Sequence, residues 1–202
     1  MNKSDLLKSI AEKGYDVGFG AKKHFATYDI IEKAPGLISF SSMAFGIFAL
    51  AVKGLSTELI SAIFIVLGVV GLYISLYGHK KSSYEQSGVA LTKLYNELKA
   101  LYLKVKNLGE ESDFAEFQKE LSDIENRYYP ICISKQILFS NWYAHYKFYW
   151  EHQIEWVNEQ LNFSFFRDKI PLSLWLTILM IVIGLACSFS NITTFICTVS
   201  KP

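Results

Sequence analysis

Residues 34–77 read APGLISFSSMAFGIFALAVKGLSTELISAIFIVLGVVGLYISLY, and this stretch decides the fold. Its two arms, APGLISFSSMAFGIFALAV (34–52) and LISAIFIVLGVVGLYISLY (59–77), contain no charged residue. A helix crosses the hydrocarbon core of a bilayer with roughly 20 apolar residues, and each arm supplies that length. The link between them, KGLSTE, is too short for a domain. The pattern predicts two membrane-spanning helices folded into an antiparallel hairpin.

The charges around the hairpin set its direction. Lys22, Lys23 and Lys33 precede the first arm, and Lys80 and Lys81 follow the second, whereas the far side carries only Lys53 beside Glu58. Lys and Arg collect on the cytoplasmic side of membrane proteins, so the N-terminus and the residues after Tyr77 are expected in the cytoplasm. A third charge-free segment runs over 170–199, preceded by Arg167 and Lys169 and followed by Lys201. A helix of that length exceeds one bilayer core, so its span is expected to end near Phe189, with the tail at the outer interface. The first residues, MNKSDLLKSIAEKGYD, lack the apolar core of a signal peptide, which points to an uncleaved cytoplasmic start.

Each arm of the hairpin carries a stripe of small residues. Ser39, Ser42, Gly46 and Ala49 recur at helical spacing in the first, and Ser61, Gly68, Gly71 and Ser75 in the second. Small residues let helices approach closely in lipid. Two readings follow: the stripes pack on one another inside the hairpin, or one lines a pore between copies of the chain. With no charge in either arm, a proton relay is excluded.

The remaining segments are polar and helical. SDLLKSIAEKG offers Ser4 as an N-cap and Gly14 as a stop. Leu91, Leu94, Leu98, Leu101, Val105 and Leu108 make a heptad-like seam, with Lys93, Lys99, Lys104 and Lys106 off it. Gly109 ends that helix. DFAE (113–116) reads as a capping box for a second helix with Phe114, Phe117, Leu121 and Ile124 on one face, until Pro130 breaks it.

NWYAHYKFYW (141–150) then crowds six aromatic rings into ten residues. Read as one helix continuing to Trp156, it sets Trp142, Tyr149 and Trp156 on one face, with Tyr146 in the gap. The rings have three possible covers: a helical core, the headgroup layer of a membrane, or nucleobases stacked on them with Lys147 at the phosphates.

Enzymatic chemistry finds little support. GYDVGFGAKK lacks the spacing of a phosphate-binding loop. His145 and His152, with Glu151 and Glu155 nearby, lie two helical turns apart, about 10 Å of rise and too far for one metal ion. Neither a catalytic residue, a metal site nor a cofactor is expected. The three cysteines, Cys132, Cys187 and Cys197, form no CxxC and are expected to pack. A net charge of +1 gives no overall field for nucleic acid.

The expected fold is therefore an all-α membrane protein. Cytoplasmic amphipathic N-terminal helices occupy 1–33, the two-span transmembrane hairpin 34–78, and a cytoplasmic helical domain 79–169. A third, C-terminal transmembrane helix with a short outer tail occupies 170–202.

The YGHKKSSYEQSG exit from the small-residue hairpin, with amphipathic helices on either side, resembles the SLATT family, the two-transmembrane effector domains of bacterial conflict systems. The added C-terminal span is similar to that of some SLATT subfamilies, and the whole is similar in arrangement to the SLATT channel subunits of Hailong-type defence. The resemblance implies a homo-oligomeric ion channel in the bacterial inner membrane, an anti-phage effector that depolarises the membrane and arrests growth. It implies control by a nucleotide or short DNA oligomer, made by a cognate nucleotidyltransferase. Lys22, Lys23, His79, Lys80, Lys81, Trp142, Tyr146 and Lys147 are the candidate contacts for that ligand. The alternative is a membrane-anchored interaction module that docks a cytoplasmic partner and has no pore.

Overall fold

The computed structural model describes residues 2–52, 58–110 and 112–199, with side chains to residue 186. Lys53, Lys201 and the side chains of Cys187 and Cys197 lie outside the described residues. The described residues are helical, without a strand. Two units are distinguished, Met1–Asn162 and Phe163–Pro202.

Helix α1 (Lys3–Ala51) is one unbroken helix of 49 residues. It starts two residues earlier than Ser4 suggests, because the Asn2 side chain accepts the Asp5 N–H at 2.8 Å. Leu7, Ile10, Ala11, Gly14, Val17, Gly18 and Ala21 are buried at three- and four-residue steps, the stripe of a core-facing helix. Gly14 therefore does not end the helix. The ring of Trp156 lies against it, and a β-carbon there would sit 2.3 Å from Trp156 Cη2. Gly18 makes the same room for Tyr95 and Phe148. The helix also continues through Pro35 into the apolar arm, so the expected N-terminal helices and first span are one element.

Helix α2 (Glu58–Ser75), a 3₁₀ turn (Gly78–Lys80) and α3 (Lys81–Lys106) lead back along α1. The pairings fix an antiparallel course. Phe45 stacks on Phe64 at 4.6 Å, and Ile38 meets Gly71. Phe25 meets Gly88, and Tyr95 meets Gly18. Lys3 Nζ donates to the Leu108 carbonyl at 2.6 Å. Residue numbers rise on one side as they fall on the other, over the full length of α1.

The heptad-like seam of α3 is its core face, with Leu91, Leu98, Leu101 and Val105 fully buried. Helix α4 (Ala115–Tyr128) packs on α3. Asp113 Oδ1 accepts the Ala115 N–H at 3.0 Å, but the N-cap is Phe114 and no side-chain cap bond forms, so the expected capping box is not made. A 3₁₀ turn (Tyr129–Ile131) follows at Pro130.

The aromatic stretch is helical, but that helix does not continue to Trp156. Helix α5 (Ser140–Tyr149) ends, a turn follows, and α6 (Glu155–Leu161) begins afresh. The hydroxyl of Tyr95 on α3 donates to the Gln153 carbonyl in that turn at 2.9 Å, and this contact from across the chain sustains the break. Phe148, Tyr149 and Trp156 are buried against α1 and α3, whereas Tyr146 and Trp150 are exposed. Trp156 sits between Tyr95 and Tyr102, with ring centres 5.3 and 5.2 Å away. Of the six rings of 141–150, core packing buries Phe148 and Tyr149 and leaves Trp142 and Tyr143 half-buried.

Beyond residue 34 the picture inverts. Leu37, Phe40, Met43, Ile47 and Leu50 of α1 are exposed, as are Leu59, Ile65, Val69 and Leu72 of α2. Apolar patches of this extent mark a surface that meets lipid or protein. Both helices are long and apolar enough to cross a membrane.

In the second unit, α7 (Leu172–Val199) starts just after Pro171, whose carbonyl accepts the Leu174 N–H at 2.9 Å. It runs on past Phe189, because nothing between there and Val199 stops a helix: the segment holds no Pro, no Gly and no charge.

Candidate functional site at the foot of the hairpin

Where the buried bundle gives way to the exposed hairpin, residues 132–139 form an irregular strap. Pro130 cannot continue α4. The strap's backbone groups therefore need partners from elsewhere, and α1 and α3 provide them. Ser87 Oγ donates to the Ile131 carbonyl at 3.0 Å, just ahead of the strap. Tyr84 donates its hydroxyl to the Lys135 carbonyl. Gln136 Nε2 donates to the Ile133 carbonyl at 2.7 Å, while its Oε1 accepts from Thr27 Oγ1.

His24 makes the central latch. Its Nε2 accepts the Ile133 N–H at 3.0 Å, and its Nδ1 donates to the Gly20 carbonyl at 2.7 Å. This pattern needs the neutral ring, protonated at Nδ1. Burial holds the His24 pKa below its ordinary value, aided by the charge of Lys23, although the bond to Gly20 opposes the shift.

The strap then delivers its apolar end to the hairpin. Ile137 is buried with Ile31, Ile74 and Tyr84. Phe139 turns the chain into α5 with a left-handed backbone, φ 65°, a conformation uncommon for a bulky residue. Between the strap, α1 and α2 lies an apolar cavity of about 440 Å³.

A buried ion pair ties α5 to α1 near the same level. Lys147 Nζ lies 2.7 Å from Asp29 Oδ2, and both side chains are mostly buried. Lys33 bonds the other Asp29 oxygen at 2.7 Å. Burial alone would raise the Asp29 pKa, but the two lysines outweigh it and hold it low. Burial would likewise lower Lys147, and Asp29 reverses that. Lys22 is shifted down, first by burial and then by the charge of Lys147.

The residues singled out in the sequence fall into separate places. Lys22, Lys23 and Lys147 lie where α1 meets α5, and Tyr146 is exposed on α5, stacked on Tyr143. Trp142 is half-buried with its ring 5.0 Å from Phe139. His79 and Lys80 are exposed on the 3₁₀ turn, and Lys81 pairs with Glu32. The eight residues thus form two groups, one on the bundle and one at the hairpin exit.

The small-residue stripes also divide. Ser42, Ala49 and Gly71 are half-buried, whereas Ser39, Gly46, Ser61, Gly68 and Ser75 are exposed. A β-carbon on Gly46 or Gly68 would meet nothing within 4 Å. The stripes as a whole are therefore not the hairpin's own seam; Ile38, Phe45 and Phe64 contribute much of it.

Among the described residues no His, Cys, Asp or Glu cluster suits a metal ion. His152 lies against Tyr95, and burial pushes its pKa down to about 4, with Lys22 and Lys99 adding to the shift. His24, Thr27, Tyr84 and Gln136 were not visible as a site in the sequence. Each has a partner 51 to 109 residues away, beyond any local pattern.

Residues 1–178 match the family model described as SMODS and SLOG-associating 2TM effector domain 6. No curated protein and no solved structure matches the chain.

Proposed function

The chain belongs to the SLATT effector family, in the group described as SMODS and SLOG-associating 2TM effector domain 6, and from that premise, which makes it a membrane effector of conflict systems, we propose that it forms an oligomeric ion pore. One observation carries the reading. The hairpin leaves small and hydroxyl-bearing positions exposed, Ser39, Gly46, Ser61, Gly68 and Ser75, although the Ser75 hydroxyl bonds the Leu72 carbonyl of its own helix. In lipid, such positions suit close packing against other helices. Contact with further copies of the chain would cover some of them and leave others facing a pore.

In this reading the pore opens in the bacterial inner membrane during phage attack, depolarises the cell and arrests its growth. The N-terminus and central bundle face the cytoplasm, where a nucleotide or short DNA oligomer, made by a cognate nucleotidyltransferase, biases the pore. The ligand acts by binding open and closed forms unequally. The strap and the Lys147–Asp29 pair offer a path, since both join the bundle to α1 just below the hairpin.

The test is ion flux from liposomes carrying the purified protein, with and without cyclic nucleotides and short DNA oligomers. Flux that changes with a nucleotide supports the reading. Absence of flux under every condition favours a membrane-anchored interaction module, whose partner would cover Tyr129, Tyr146 and Trp150, all more than half exposed on the bundle.

A further inference from the structure

Two adjoining cavities at the hairpin foot have opposite chemistry. The larger, about 440 Å³, is walled by Ala34 and Ile38 of α1, Val70 and Ile74 of α2, and Leu138 and Phe139 of the strap. It presents only apolar surface, and its size falls within the usual range of ligand sites. The smaller, about 190 Å³, is lined by Tyr77, His79, Lys80 and Lys135. Tyr73 lines both, and its hydroxyl meets that of Tyr77 at 3.2 Å.

The charges around the smaller cavity are unbalanced. Lys33, Lys81 and Lys147 nearby are all paired with Asp29 or Glu32. Among the described residues, Lys80 and Lys135 make no ion pair; the Lys135 ammonium lies 5.4 Å from the Tyr77 ring centre. Two unneutralised ammonium groups beside an apolar slot match a molecule with an anionic head and a hydrocarbon tail. Tyrosines at this level suit the headgroup layer, and basic pockets between cytoplasmic helix ends suit anionic lipid heads.

We propose that the two cavities together bind one anionic phospholipid, its acyl chain in the apolar cavity and its phosphate against Lys80 and Lys135. A soluble phosphate would use the basic pocket and leave the apolar one empty. This inference rests on the membrane placement, not on the pore. Because Leu138 and Phe139 wall the cavity, the lipid touches the strap that His24 holds.

The full chain in phosphatidylcholine nanodiscs, doped with phosphatidylglycerol bearing a photoreactive acyl chain, provides the test. Label is expected on peptides containing Ile38, Val70 and Leu138, displaced by unlabelled phosphatidylglycerol but not by phosphatidylcholine or inorganic phosphate. The double variant Lys80→Gln/Lys135→Gln should weaken displacement on the order of tenfold. Val70→Trp, which fills the cavity and keeps both lysines, should lower the labelling of Leu138. Equal label on the outer-face residues Ile47 and Ile65, displaced as well by phosphatidylcholine, would leave only bulk lipid contact and overturn the proposal. Displacement by inorganic phosphate would overturn it in favour of a soluble anion. Protein stripped from membranes by alkali would overturn the membrane placement itself, an outcome distinct from either.

Discussion

The imidazole of His24 and the main-chain N–H of Ile133 meet at 3.0 Å, joining α1 to the strap 109 residues further on. Only the neutral ring can accept that bond. Replacing His24 by Ala strands a buried N–H, which costs about 1–3 kcal/mol. Hydrogen exchange at the Ile133 amide is the direct readout: protection at neutral pH is expected to fall in the variant. Unchanged protection would show that the strap is held without the latch.

Stability is expected to fall on acidification. His24, His145 and His152 are each held below their ordinary value of 6.5 in the fold, His152 at about 4. As pH drops through 6.5 the unfolded chain takes up protons that the folded chain refuses. The contribution of these neutral rings is complete above that value and is lost as pH falls toward 4. Thermal unfolding in detergent should give a lower Tm at pH 5 than at pH 7.5. A Tm that rises on acidification would contradict this sign.

Lys147→Met leaves Asp29 mostly buried with Lys33 as its remaining partner. The expected loss is about 2 kcal/mol, below the full cost of orphaning a buried charge because Lys33 stays. Adding Asp29→Asn should recover much of it. A double-mutant cycle in chemical denaturation measures the coupling, and simple additivity would argue against a cooperative pair.

Gly14→Ala drives a methyl group into the Trp156 ring, at 2.3 Å from Cη2. Overpacking of this kind costs about 1–3 kcal/mol. Trp156→Leu loses packing alone but should relieve the clash, so the double variant should be less destabilised than the sum of the singles.

Gly68 and Gly71 differ in what surrounds them. A side chain on Gly68 meets nothing within the chain, whereas one on Gly71 approaches Ile38 at 3.8 Å. Gly68→Leu should fold and insert normally yet lose flux and assembly. Gly71→Leu should disturb the hairpin as well. Full conductance in an inserted Gly68→Leu protein would remove that face from the pore and its contacts.

The hairpin was legible because bilayer thickness imposes a length on apolar segments, and the α3 seam because its partners repeat at helical spacing. Gly14 misled because a glycine reads as a stop when its neighbours alone are seen; its reason, Trp156, lies 142 residues away. The turn after Tyr149 holds neither Pro nor Gly, and the Tyr95 hydroxyl that sustains it comes from α3. The strap latches went unseen for the same cause. Side chains that satisfy a distant backbone leave no periodic trace, whereas lysines beside spans do, which is why the basic exit was found and its neighbour Lys135 was not.

The unbroken course of α1 through Gly14 and Pro35 fixes a torsional register between bundle and hairpin. At 1.5 Å per residue its 49 residues extend about 74 Å. A single residue inserted between His24 and Ile38 would rotate the outer half about 100° against the inner, while seven would nearly restore the angle. The faces that Ser39 and Gly46 present are thus set by how Gly18 seats Tyr95 and Phe148, and no loop between them can absorb an error.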